Sequence, residues 1–118
     1  MGHAQHMNEP NSPCAGIVIT SDLTSCLSKA REKTDAQLNA QYTSLHKRLD
    51  PADRQRLTAA ERSWVQYRDA NCSAEQELYA EGTARYPAYY GCLEAMTRAR
   101  IKELKITYAV KLKDEPSN

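Results

Sequence analysis

Cys72 and Cys92 stand ten residues on either side of Gly82. Few patterns in a 118-residue chain restrict its fold so strongly. If antiparallel helices flank the glycine, both cysteines reach the same height on facing helices and can join. Cys14 and Cys26 then remain to tie an extended lead-in onto the first helix. Four cysteines permit three pairings, so Cys72–Cys92 with Cys14–Cys26 is a choice made on geometry. The cysteines form no Cys-x-x-Cys pair, and with His3, His6 and His46 they match no zinc-ligand spacing. Neither a metal nor another cofactor is therefore expected. A disulfide framework instead implies an oxidising compartment, periplasmic or extracellular. Closing the longer loop contributes about 3 kcal/mol in the chain-entropy picture, a large share of the stability of one small domain.

Hydrophobic periodicity supplies the helices that this pairing needs. From about Ser21, Leu23, Leu27, Ala30, Leu38, Tyr42, Leu45 and Leu49 recur at helical spacings, interrupted at Thr34 and Asp35. The run Asp50-Pro51-Ala52-Asp53 marks a boundary. Asp50 can cap, Pro51 suits the first helical position, and Asp53 puts negative charge in the first turn. A second helix is predicted from Pro51 to near Ala80, with Leu57, Ala60, Trp64, Tyr67, Arg68, Asn71, Leu78 and Tyr79 on or near one face. Gly82 reads as a left-handed stop, and Pro87 as the opening of a third helix. That helix carries Leu93, Met96, Ile101, Leu104, Tyr108 and Leu112 and frays at Lys113. The expected fold is all-α, a three-helix antiparallel bundle stapled by two disulfides over residues 14–113. Residues 1–13 are expected to be an expression leader and disordered lead-in, and residues 114–118 a tail. The apolar run Ile17-Val18-Ile19 is far too short for a transmembrane span.

Charge excludes one class of partner. Sixteen Lys and Arg against fifteen Asp and Glu leave +1, too little to hold a polyanion by bulk attraction. The bases of the third helix, Arg98, Arg100, Lys102, Lys105, Lys111 and Lys113, lack the interleaved aromatic residues that stack on bases. No nucleic-acid partner is expected. Nor does the chain hold a Gly-rich phosphate loop, an HExxH or a GxSxG. Its carboxylates are spread among bases, and His46 has no evident triad partner. No catalytic residue and no enzyme is expected, and nothing in the sequence sets an oligomeric state.

The block Trp64, Tyr67, Arg68, Asp69 and Cys72 completes a longer pattern. Ahead of it stand Cys14, Cys26, then Asp35, Leu38, Asn39 and Tyr42; behind it stand Cys92, Leu93, Thr97, Arg100 and Leu104. In order and spacing these resemble the LprI-like lysozyme-inhibitor family. The resemblance implies an exported helical domain, periplasmic or secreted, with some relatives linked to lysozyme inhibition. Most of these motif residues read as structural. Arg68 is expected to bond Asp35 or Asn39 and to stack near the Trp64 indole, and Asn39 to make an interhelical hydrogen bond.

The surface proposal falls on the link between the last two helices. Arg85, Tyr86, Tyr89 and Tyr90 are of the types enriched in interface hot spots. The expected function is occlusion of the cleft of lysozyme or another peptidoglycan hydrolase, with no chemistry of its own. A near-neutral chain is not an acidic decoy for cationic lysozyme, so contact must come from shape and specific donors. The alternative is an envelope assembly module that recognises another protein.

Overall fold

In a computed structural model, residues 5–112 are described. Three long helices, α1 (Thr20–Arg48), α2 (Pro51–Glu77) and α3 (Arg85–Thr107), form a bundle of 48 × 31 × 27 Å. A short α4 (Ala109–Leu112) follows, and a single 3-10 turn (His6–Asn8) precedes them. No strand occurs among the described residues. The all-α bundle expected from periodicity is the fold, and both disulfides join the expected partners, Cys14–Cys26 and Cys72–Cys92.

The link from α1 to α2 follows its predicted chemistry. The Asp50 carboxylate accepts the Asp53 backbone N–H at 2.8 Å, and Pro51 takes the first helical turn. Helix α3 is central. It packs along both α1 and α2, whereas those two hardly touch each other beyond their connection.

The core changes character along the bundle. Near the start of α1 and α3 it gathers Met7, Cys14, Leu23, Leu27 and Ala88, beside a second group of Cys72, Cys92 and Leu93. Toward the opposite end it becomes a leucine cluster, Leu38, Leu45, Leu49, Leu57 and Leu104. Thr34, the interruption in the α1 stripe, lies between them and is buried. Its hydroxyl is 2.9 Å from both the Ala30 carbonyl and the carboxylate of Glu94, itself only 2% exposed. Arg98 completes that group, with its guanidinium 3.1 Å from Glu94 and 2.6 Å from Glu9. The buried charge is thus paired and hydrogen-bonded, as a buried charge must be.

Three expectations are corrected. Gly82 is not a left-handed stop; Gly16, with φ of 89°, holds that conformation among the described residues. Helix α2 instead unwinds through successive three-residue turns, Leu78 to Glu75, Tyr79 to Gln76, Ala80 to Glu77 and Gly82 to Tyr79, which need no positive φ. Helix α3 begins at Arg85, so Tyr86, Tyr89 and Tyr90 lie on a helix and not in a loop.

The third correction concerns residues 5–13, which are packed and not disordered. Met7 fills a notch left by Gly91, where an added Cβ would lie 2.7 Å from the Met7 Cα. The His6 ring meets Glu75 at 2.7 Å, and Ser12 accepts the Cys14 N–H at 3.1 Å. Residues 1–4 of the expected leader, residue 113 and the expected tail at 114–118 lie outside the described residues.

Candidate functional site

Most of the motif residues converge at mid-bundle. Arg68 of α2 reaches Asp35 of α1 at 3.7 Å and Thr97 of α3 at 3.4 Å, so one guanidinium spans all three helices. Its carbon lies 5.2 Å from the Trp64 ring centroid, and that of Arg100 lies 5.7 Å from it. Both guanidinium groups thus lie within cation–π range of one indole. Both cations are also paired with carboxylates. Asp69 meets Arg68 at 2.9 Å, Glu61 meets Arg100 at 3.2 Å, and Glu103 also contacts Arg100. Burial pushes the Glu61 carboxyl above its ordinary range, partly offset by Arg100. The arrangement fixes helix register.

The remaining motif residues divide. Leu38 and Leu104 are in the leucine cluster, with Tyr42 packed against it. Asn39 is exposed, so its expected interhelical role is corrected. One residue earlier Leu38 faces the core, and a helix turns about 100° per residue. Tyr67 is 63% exposed although its neighbours on either side of the turn, Trp64 and Arg68, are half-buried.

The expected partner-binding residues form an apex where α1 and α3 start and α2 ends. Tyr89 packs on the Cys72–Cys92 group and Tyr90 on the Met7 group, with the two rings 5.7 Å apart edge to face. Tyr86 remains 52% exposed, and the Arg85 guanidinium lies 5.8 Å from its ring and 3.8 Å from Glu77. Sequence reasoning missed the other half of this apex. Val18 is 89% exposed and Ile19 60%. Tyr86 lines one hollow with Thr20 and Thr24, and Val18 another of about 450 Å³ with Ala84 and Pro87. The run Ile17-Val18-Ile19 was visible as apolar, but its sequence does not say which side chains face solvent. Ile19 is the N-cap of α1 and supplies no side-chain cap, so the first N–H groups of that helix lie beside the exposed apolar pair.

His6, Glu75 and Cys92 also bring one potential ligand atom each to within 4.8 Å of one another. The Cys92 sulfur is committed to its disulfide and offers no thiolate. The hydrogen bond to Glu75 raises the His6 pKa above 6.5 against the opposing effect of burial. This trio is a clamp on the N-terminal segment and offers no ion an open coordination shell.

Comparison with known sequences decides the kinship. The profile of the family described as lysozyme inhibitor LprI matches residues 14–104. The chain belongs to that family. The match begins at Cys14 and ends at Leu104, so it takes in both disulfides, the mid-bundle network and the apex. An uncharacterized protein of Rhizobium meliloti (strain 1021) is 27% identical over 110 residues, covering 82% of this chain and 79% of that one. No solved structure matches significantly. Membership in the LprI family implies a protein partner and an exported domain, and among the described residues no helix is long and apolar enough to cross a membrane.

Proposed function

We propose that the protein acts in the periplasm or outside the cell as an inhibitor of a peptidoglycan-cleaving enzyme, lysozyme first, by seating its apex in the enzyme's cleft. The observation that carries this reading is the apex itself, with Val18, Ile19 and Tyr86 exposed beside Arg85 on a frame held by two disulfides. Adjacent exposed apolar side chains mark a binding surface on a small soluble domain. Cys14–Cys26 ties the Val18–Ile19 segment to α1, so little conformational freedom is lost on docking.

The chemistry of the target fits. A lysozyme cleft holds two carboxylates between sugar subsites. Arg85 presents positive charge to that pair, while Tyr86 and Ile19 cover the apolar walls. The inhibitor binds and does no chemistry. Tyr89 and Tyr90 support the apex from within the bundle and do not enter the cleft.

Titration of the purified, oxidised protein into a lysozyme lysis assay at physiological salt tests this. Dose-dependent inhibition is expected, lost on reduction and weakened by about tenfold or more in Tyr86→Ala and Val18→Asp, as for central interface positions. Arg85→Ala, which removes the donor, is expected to weaken it as well. No inhibition at large excess by a protein with intact helical circular dichroism overturns the reading. Capture of another envelope protein in that case favours the assembly-module alternative.

A further inference from the structure

The half of the bundle away from the apex holds a second surface. Because α1 and α2 each pack on α3 and hardly on each other, a groove runs between them. One stretch of it, about 410 Å³, is lined by Tyr42, His46, Thr58, Glu61, Arg62 and Val65, and most of the surface these residues show it is apolar. A neighbouring hollow of about 570 Å³ shares Tyr42 and His46 with it and adds Thr43, Lys47 and Arg54. The groove therefore has an apolar floor and a rim of Lys47, Arg54 and Arg62.

The rim charge is not cancelled by the carboxylate on the same wall. Glu61 lines the groove but is engaged by Arg100 at 3.2 Å. Asp53, near the Arg54 end, is occupied by Arg56 at 2.9 Å and Lys111 at 3.7 Å. What fits an apolar floor between cations is an acidic segment with apolar anchors. Cationic lysozyme is the wrong sign for it.

We propose that the groove between α1 and α2 is a docking site for an acidic, amphipathic helical segment of a second protein, distinct from the target of the apex. From Arg54 to Gln66 the groove follows α2 for about 18 Å, the length of a twelve-residue helix at 1.5 Å per residue. Apolar side chains of the segment occupy the floor at Tyr42 and Val65, and its carboxylates meet Lys47 and Arg54 at one end and Arg62 at the other. Tyr42 is about 33 Å along α1 from Thr20 at the same rise per residue, so the two sites do not overlap.

The test uses the whole oxidised chain and a fluorescein-labelled peptide of about twelve residues, Glu and Leu in amphipathic helical order. Two control peptides carry Lys for Glu, or Ser for Leu. Fluorescence anisotropy is expected to show saturable binding of the Glu–Leu peptide alone, weakening as salt rises. Val65→Asp and the pair Lys47→Glu/Arg62→Glu are each expected to weaken it by about tenfold or more. Lys47 and Arg62 are exposed, so the charge-reversed pair keeps the fold and serves if Val65→Asp does not. The same variants are expected to leave lysozyme inhibition unchanged, which separates this site from the apex. The proposal is overturned by no saturable binding, by equal binding of the Lys peptide, by indifference to the charge-reversed pair, or by loss of lysozyme inhibition in that pair.

Discussion

Around the two disulfides the core is small and mixed, with Met7, Leu23, Leu27, Ala88 and the paired cysteines. Beyond Thr34 and Glu94 it consists of Leu38, Leu45, Leu49, Leu57 and Leu104, with Trp64 and Tyr108 at its edge and no covalent tie among the described residues. The first region exposes Val18, Ile19 and Tyr86 together at its apex; the second buries its clustered leucines to 4% or less, while Ile106 and Val110 beside them stand in solvent. Covalent closure acts on the unfolded chain, whereas leucine burial acts on the folded one. A region stabilised the first way can leave apolar side chains in solvent and still hold its shape. The apex depends on that freedom.

Unequal responses to mutation would sharpen the contrast. The largest effect is expected at the leucine end, where Leu57 is fully buried: Leu57→Ala should cost about 2–5 kcal/mol. Chemical denaturation measures it, and the loss should be the same in oxidised and reduced protein. Removing the longer disulfide by Cys72→Ser with Cys92→Ser should cost about 3 kcal/mol. Hydrogen exchange should then rise in residues 5–14 and 72–92 and stay slow around Leu45, Leu57 and Leu104. A uniform rise would show that the halves unfold as one and would break the comparison.

Gly91→Ala should cost about 1–3 kcal/mol by overpacking, because its Cβ collides with the Met7 backbone. In a double-mutant cycle Met7→Ala should cost less in that background than alone, the sign of a shared contact. Tyr42→Phe should go the other way. The Tyr42 hydroxyl is buried without a partner, so its removal should raise stability by about 1 kcal/mol.

The smallest effect belongs to His6. Its folded pKa is raised above 6.5 by Glu75, so its contribution is complete below 6.5 and is lost as pH rises through the raised value. Melting temperatures of wild type and His6→Gln should differ most at acidic pH and converge on the alkaline side.

The sequence made the covalent frame readable because the relevant distances are counted along the chain. Cys72 and Cys92 are equidistant from Gly82, and Asp50 is adjacent to the helix it caps. Arg68 with Asp35 was also legible, since charge and indole identify a pair even across two helices. What escaped depends on packing. Met7 is a lone apolar residue among polar neighbours, and its partner is a glycine eighty-four positions later that offers no side chain to detect. The groove beside Tyr42 arises because α3 keeps α1 and α2 apart, a consequence of three helices together and of no single stripe. Tyr86 was singled out by type, but Val18 and Ile19 read as a lead-in because an apolar run carries no mark of the side it will expose.

The central place of α3 also sets an order of events. A chain synthesised from its N-terminus presents α1 and α2 before α3 exists, and those two have little surface to share with each other. Neither can complete a core, and Cys72 has no native partner until Cys92 emerges. The chain thus stays open through most of its length and closes when its last helix arrives, so the bundle and its longer disulfide form together.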